Sequence, residues 1–506
     1  MLLSALIFSP VFVACCLLLF PLAQRGAYWL TVLTCALQFL AGLLVCFSHP
    51  NPTDWAFVTK LEWLRLPFDS THSLVISYHV GVDGLNSVLL ALATGILLVG
   101  AVASWTIPKH HKSYFALYLL LNTTIVGCFL ALDFFLFFLF FELMLIPMYF
   151  LIGLWGGERR EYAAIKFVIY TFLGSLFILA ALLMIGVSSG QQEGQVILHH
   201  FDLVQLKNTT AFLPNSFLNL TQPAVWWGVS ARHWAFVLLL LGFAIKLPVA
   251  PLHTWLPDAH VEAPTPISVV LAGILLKIGG YGLLRIAVPI FPEIAQEYAY
   301  YMGIAGTFSI VYTALVALGQ TNLKKMIAYS SVSHMGFVLL GIGSMTITGY
   351  KGAVFQLVSH GILASMLFLS AGVLYYRTHD LQIAHYKGLA EKYPVYTALT
   401  AVAFFAALGL PTFSGFIGEM LVLWSAIETS HWGFGVPAVA ATGLLVGAGY
   451  FLWTLQRMFL GKFSTKSADM IQLLTPIRTV EIVLLLVLAL LSLLLGVYPQ
   501  IILDRL

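Results

Sequence analysis

Apolar runs of about 20 residues recur along this chain, and they settle its folding medium before any other feature does. The first, "MLLSALIFSPVFVACCLLLF", holds no charged residue. Runs of this length are what a helix needs to cross the hydrocarbon core of a bilayer. A β-barrel is excluded, because barrel strands alternate apolar and polar residues whereas these runs stay apolar throughout. Composition agrees: of 506 residues, 60% are hydrophobic and only 9% charged, against about 25% charged in soluble domains. The expected fold class is an all-α polytopic membrane protein, with the lipid bilayer as its first partner.

Fourteen spans are expected: 3–22, 28–47, 84–106, 113–132, 134–155, 165–187, 234–256, 266–287, 299–318, 325–343, 349–375, 397–425, 435–456 and 479–499. The first run lacks a basic n-region and a clear cleavage site, so it is read as a membrane helix rather than a removed signal. Two polar insertions, 48–83 and 188–233, are too polar to span and are expected to form surface loops or short interfacial helices. Cytoplasmic loops carry an excess of Lys and Arg. With the N-terminus outside, inside loops hold 15 of the 24 Lys and Arg residues, outside segments hold six, and Lys246, Lys277 and Arg285 lie within spans. No basic run suggests a nucleic-acid partner.

Two spans are interrupted. Span 7 reads "LGFAIKLPVAPLHTWLP", where Pro248 and Pro251 remove backbone donors in mid-helix. Span 12 reads "FFAALGLPTFSGFIGEM", where Pro411, Gly415 and Gly418 are expected to do the same. Paired broken helices in corresponding positions point to a transporter built from repeats, with its ion path at the breaks. Spans 4–8 and 9–13 form two such blocks, and an odd number of spans per block makes them inverted. The expected organisation is 1–112 (helices 1–3), 113–287 (first repeat), 288–456 (second repeat) and 457–506 (helix 14).

Six ionisable residues fall near mid-depth: Glu142, Lys246, Lys277, His334, His360 and Glu419. Glu142 sits in "ALDFFLFFLFFELMLIPMYF", and a carboxylate there costs roughly 2.5–3.5 kcal/mol on insertion scales. A buried group of this kind changes protonation when a neighbouring charge moves, which is what a proton pump requires. One buried Glu–Lys pair is commonly structural glue, and a lone membrane histidine often only hydrogen-bonds across a bundle. Glu142, Lys246 and Lys277 together are three separate costs that need a common reason. Asp133 and Arg285, near span ends, are read as interfacial anchors.

Other chemistries fit less well. His334 and His360 are single central histidines on their helices, whereas a diheme cytochrome needs a pair on each. His253, Asp258 and His260 in "PLHTWLPDAH" resemble metal ligands by type, but their prolines and loop position fit a polar mouth to a proton path better. Cys15, Cys16, Cys35, Cys46 and Cys128 lie in or beside apolar helices without CxxC spacing, so neither disulfides nor an iron–sulfur site is indicated. There is no Walker loop, dinucleotide fingerprint or nucleophile elbow.

Three stretches carry a family resemblance: "FFELMLIPMYFLIGLWG", "KLPVAPLHTWLPDAHVEAPTPISVVLAGILLKIGGYGLLR" and "QTNLKKMIAYSSVSHMGFV". They closely resemble the antiporter-like subunits of respiratory complex I (NADH:quinone oxidoreductase), in particular the subunit M type, and the likeness extends over essentially the whole chain. It implies fourteen helices with two inverted five-helix repeats. By resemblance, the family's essential glutamate falls on Glu142, its broken-helix lysine on Lys246, its central lysine on Lys277, its linking histidines on His334 and His360, and its terminal residue on Glu419. The last position is typically lysine in subunits L and N and in Mrp antiporter subunits, so glutamate favours the M type.

The function so implied is proton translocation in the membrane arm, driven by quinone reduction elsewhere in the complex. Such a subunit carries no cofactor of its own; FMN, iron–sulfur clusters and quinone belong to partner subunits, and its neighbours are of the L and N type. The bacterial cytoplasmic (inner) membrane is the expected location. The alternatives are an Mrp-type Na⁺/H⁺ antiporter subunit, a related subunit of a ferredoxin-dependent or hydrogenase complex, and a purely structural membrane scaffold.

Overall fold

Among the described residues of the computed structural model, twelve helices are long and apolar enough to cross a bilayer. They are Leu2–Leu19, Gln24–Phe47, Gly84–Ala103, His111–Leu130, Phe134–Trp155, Arg160–Ser188, Thr265–Ile290, Pro292–Leu318, Leu323–Gly343, Ile347–Thr378, Gly435–Phe459 and Thr479–Val497. The structure describes all residues except 22, 49–53, 108, 194, 222, 430–431 and 467–473. The two expected spans missing from this set are the two read as interrupted. Each is a pair of shorter helices: Ala231–Lys246 followed by Trp255–Glu262, and Pro394–Ala407 followed by Ser414–Glu428.

The first break, residues 247–254, contains Pro248 and Pro251 as the sequence suggested. The second, residues 408–413, contains Pro411, but its turn is made by Gly409 (φ +77°) rather than by Gly415 or Gly418. A left-handed φ is cheap for glycine and strained for most other residues. Gly415 and Gly418 lie inside the following helix and serve close packing instead. A Cβ on Gly418 would fall 2.2 Å from Oε1 of Gln356.

The two polar insertions do not form loops or interfacial helices alone. They pair into one four-stranded sheet, ordered β1-β2-β4-β3, from β1 (Ala56–Pro67), β2 (His72–Val82), β3 (Gln191–Glu193) and β4 (Val196–His200). β1–β2 is an antiparallel hairpin, and β2 runs parallel to β4, tying the first insertion to the second. Alternating Val, Ile, Leu and polar residues suit β2 to this half-buried place. Lys60 of β1 meets Asp202, just beyond β4, at 2.6 Å, and His79 of β2 lies 3.5 Å from the same carboxylate.

Asp133 and Arg285 are buried parts of this end of the molecule, not exposed anchors. Asp133 caps the Phe134 helix, accepting from the amides of Phe135 and Leu136, and also accepts from Ser77 of β2. Arg285 makes a forked contact with Asp83, at 2.7 and 2.5 Å, joining the start of the Gly84 helix to the far part of the Lys277 helix. The short-chain acid is positioned by its helix cap, so the arginine is the residue that reaches.

Helices Thr265–Ile290, Leu323–Gly343 and Ile347–Thr378 are the most enclosed, and they carry Lys277, His334 and His360. Pro292–Leu318 and Leu323–Gly343 approach closely because glycines face each other: a Cβ on Gly306 would meet the Gly336 carbonyl at 2.8 Å. Small residues at such contacts let backbones approach where no hydrophobic drive exists between helices.

Candidate functional site

Lys277 lies between two π-helical turns, Leu271–Leu275 and Leu283–Ala287, within an otherwise α-helical segment. A π-turn loosens the ordinary hydrogen-bond ladder, and such turns are frequent at functional sites. The ammonium, fully buried, donates to the carbonyl of Ala272 at 2.5 Å, five residues back. It also meets Nδ1 of His360 at 2.6 Å. Among the described residues no carboxylate pairs with it. Its Nζ is held between the Ala272 carbonyl and the His360 imidazole.

From His360 the polar chain continues. The rings of His360 and His334 stand with centroids 5.4 Å apart, and Nδ1 of His334 lies 3.2 Å from Oε1 of Glu419. Glu419 is buried in the second half of the second broken helix. Its carboxylate lies against Gly409, where a Cβ would fall 2.4 Å from Oε2. The glycine of the break therefore both turns the chain and leaves room for the acid. Four of the six sequence-predicted residues thus form one line across four elements.

Glu142 and Lys246 are not in that line, and among the described residues no ion pair joins them. Lys246 ends the first half of the first broken helix, where the carbonyl end of the helix dipole favours a cation. Its buried Nζ has no hydrogen-bond partner and rests over the rings of Phe141 at 4.9 Å and Phe167 at 5.6 Å. Aromatic faces attract a desolvated cation. The Glu142 carboxylate is only half-buried and lines an open lateral groove with Phe135, Phe138, Leu139, Ile146 and Tyr149. The helix ladder is interrupted at Met144, beside Glu142, because Pro147 cannot donate to the Leu143 carbonyl.

Gln356, which sequence reasoning passed over, joins the site, and His260 and Lys324 are buried. The Gln356 amide lies 3.4 Å from Nδ1 of His334, one turn before His360 on the same helix. Its spacing of four from His360 was the available signal, since such residues share a face. His260 is fully buried, stacked on Phe368 at 4.4 Å, with neither ring nitrogen hydrogen-bonded. Lys324, read as a loop residue, is buried and donates to the Ala263 carbonyl at 3.1 Å. Asp258 meets Lys166 at 2.6 Å, so His253, Asp258 and His260 do not converge. Among the described residues no group of three or more His, Cys, Asp or Glu converges on a metal position.

The family model described as NADH:quinone oxidoreductase/Mrp antiporter, TM, matches residues 131–445, from ahead of Glu142 to beyond Glu419. NADH-quinone oxidoreductase subunit M of Rickettsia felis is 40% identical over 472 residues, covering 92% of this chain and 89% of that one. The subunit M of Rhodobacter capsulatus is 39% identical over 488 residues, covering 96% and 90%. A chain of respiratory complex I from Thermus thermophilus superposes with a TM-score of 0.82 at 30% identity, over 100% of this chain and 98% of that one. A chain of the Mrp complex from Dietzia sp. DQ12-45-1b gives a TM-score of 0.82 at 20% identity, over 100% and 96%, a likeness of fold. The chain belongs to the NADH:quinone oxidoreductase/Mrp antiporter membrane family, and within it is an antiporter-like subunit M of the complex I membrane arm, integral to the bacterial inner membrane.

Proposed function

We propose that this subunit moves protons along Lys277, His360, His334 and Glu419, with Glu142 and Lys246 as the charges that set the protonation of Lys277. The supporting observation is the alignment of these groups: Lys277 Nζ is 2.6 Å from His360 Nδ1, the His360 and His334 ring centroids are 5.4 Å apart, and His334 Nδ1 is 3.2 Å from Glu419 Oε1, on three enclosed helices and one broken one. Each member is a group that accepts and releases protons. Glu142, in its lateral groove, is placed for a neighbouring membrane-arm subunit to act on it. A displaced charge there alters the field at Lys246, and Lys246 in turn repels or admits a proton at Lys277. Moving one proton against 100 mV needs about 2.3 kcal/mol, comparable to somewhat under two pKa units.

The two broken helices divide the proposed path. Lys246 sits at one break and Glu419 beside the other, as two inverted repeats at 113–287 and 288–456 would place them. Residues 1–112 and 457–506 flank these repeats. The loops rich in Lys and Arg face the cytoplasm, so the sheet-bearing end faces outward.

The subunit takes part in NADH:quinone oxidoreductase without holding a redox group of its own. Two observations support this: the five cysteines are unpaired, and Cys35, Cys46 and Cys128 are buried among apolar helices. Pure, partner-free subunit is expected to be colourless; a Soret band or stoichiometric iron would overturn that reading.

The path itself is tested in vesicles holding intact complex. Lys277→Ala should lower the number of protons moved per quinone reduced while the complex still assembles. An unchanged ratio in fully assembled Lys277→Ala complex would remove the path.

A further inference from the structure

A slot separate from the polar axis opens between helices Gln24–Phe47, Gly84–Ala103, Ile347–Thr378 and Thr479–Val497. It encloses about 230 Å³, and its lining is apolar except for Cys46 and Arg505. Ala91 and Gly95, one turn apart, line one wall of it, and the Phe39 ring lies against Gly95, where a Cβ would fall 3.0 Å from the ring.

Arg505 closes one end. Its guanidinium donates to the Cys46 carbonyl and lies 4.6 Å from the Phe47 ring centroid, at the terminus of the Gln24–Phe47 helix. Phe47 and Tyr498 are exposed at this level, where aromatic residues mark the boundary between hydrocarbon and headgroups. A cation at headgroup depth above an apolar slot at chain depth matches a phospholipid in both parts. Among the described residues no acid lines the slot to pair with the ammonium of a zwitterionic headgroup.

We propose that this slot is a binding site for one anionic phospholipid, an acyl chain lying along Ala91 and Gly95 with the phosphate on Arg505. A planar guanidinium with five donors suits a phosphate, and one bond to the Cys46 carbonyl leaves the others for it. The site also touches the functional core. Leu92 packs directly on Gly361, and Ile96 on Gly273; these glycines belong to the helices of His360 and Lys277. A seated chain braces the outer wall of the polar axis through one layer of side chains. The site rests on the membrane reading alone and does not depend on the proton path.

The test is photolabelling of intact complex, in nanodiscs, with phosphatidylglycerol carrying a diazirine in its acyl chain. Label is expected on the peptides of residues 84–103 and 479–497. Arg505→Gln should reduce it about tenfold, as loss of charge-assisted hydrogen bonds implies, and Arg505→Lys should reduce it less. Ala91→Phe, which fills the slot without touching the arginine, should abolish it, so the proposal stays testable even where Arg505→Gln impairs assembly. Excess inorganic phosphate should not compete; competition would make this an anion site and not a lipid site. Equal labelling of wild type, Arg505→Gln and Ala91→Phe would mean only the ordinary lipid belt and would overturn the proposal.

Discussion

Nζ of Lys277 lies 2.6 Å from Nδ1 of His360, inside the protein and, among the described residues, without a carboxylate partner. A charged lysine has donors only, so Nδ1 must accept and the imidazole must be neutral while Lys277 is charged. The two groups together therefore hold one exchangeable proton in this geometry. Passing it to Nδ1 leaves a neutral amine behind and an imidazolium facing His334, whose ring centroid is 5.4 Å away.

This relationship predicts that charge at position 277 is not enough. Lys277→Arg keeps the cation and the donors, but a guanidinium is not deprotonated in proteins. Proton translocation should fall about as far in Lys277→Arg as in Lys277→Ala. Vesicle acidification per quinone reduced measures it. Arginine supporting wild-type pumping would mean that position 277 supplies only fixed charge.

Glu142→Gln should impair quinone reduction and pumping together while the complex assembles. The amide keeps the shape but removes the carboxylate's charge, while the Lys246 ammonium lies over the Phe141 and Phe167 rings. Because it keeps that charge, Glu142→Asp should retain much more activity than Glu142→Gln. Equal activities of the two variants, normalised to intact complex, would return Glu142 to a structural role.

The Arg285–Asp83 fork is predicted to matter for stability rather than turnover. Removing one partner of a buried ion pair leaves an uncompensated charge and typically costs about 3–5 kcal/mol. Asp83→Asn should therefore lower the yield of assembled complex more than the double variant Asp83→Asn with Arg285→Met. Thermal inactivation of the purified complex reads the same ordering. A double variant no better than the single one would show that the fork does not depend on charge pairing.

Asp202 makes the sheet's hold on the second insertion sensitive to acid. Burial works to raise the Asp202 pKa, but hydrogen bonds and charges from His79 and Lys60 outweigh it and keep the carboxyl well below its ordinary range. A depressed folded-state value adds stability above the ordinary carboxylate pKa of about 3.9, and that stability is lost as pH falls through the folded value. Hydrogen exchange in β2 and β4 should therefore speed up, relative to the rest of the protein, as pH is lowered below about 4. Asp202→Asn should show fast exchange at neutral pH and little further change on acidification.

Much of this arrangement was legible because a bilayer punishes polar groups individually. Lys277, His334, His360 and Glu419 stand out one by one against apolar helices, and the structure brings all four into line. The sheet was less legible. Its strands lie in two insertions more than a hundred residues apart, and the parallel pairing of β2 with β4 is a long-range contact that neither insertion announces locally. Gln356 escaped notice because a neutral amide carries no insertion penalty comparable to a charge. The Phe141 and Phe167 rings under the Lys246 ammonium were not legible either, because spacing along the chain does not say which rings meet it.

Glu419 is predicted to be the outward end of the path, with acid–base capacity that matters more than size. Its carboxylate touches Nδ1 of His334 on one side and lies against Gly409, at the break, on the other. The first contact supplies a proton from the histidines. The second places the acid beside irregular backbone, where water reaches membrane depth most readily. Glu419→Ala should lower proton-coupled turnover strongly and leave the complex assembled, because a small apolar side chain is easily housed there. Glu419→Gln should do nearly the same despite its similar shape, since an amide does not exchange a proton. Glu419→Asp keeps a carboxyl about one methylene away and should retain far more activity, general acid–base groups being worth about 10²–10⁴ in rate when correctly placed. The measurement is turnover in membranes, normalised to intact complex. If the Asp, Gln and Ala variants behave alike, or all match wild type, protons leave elsewhere and the line from Lys277 ends at His334.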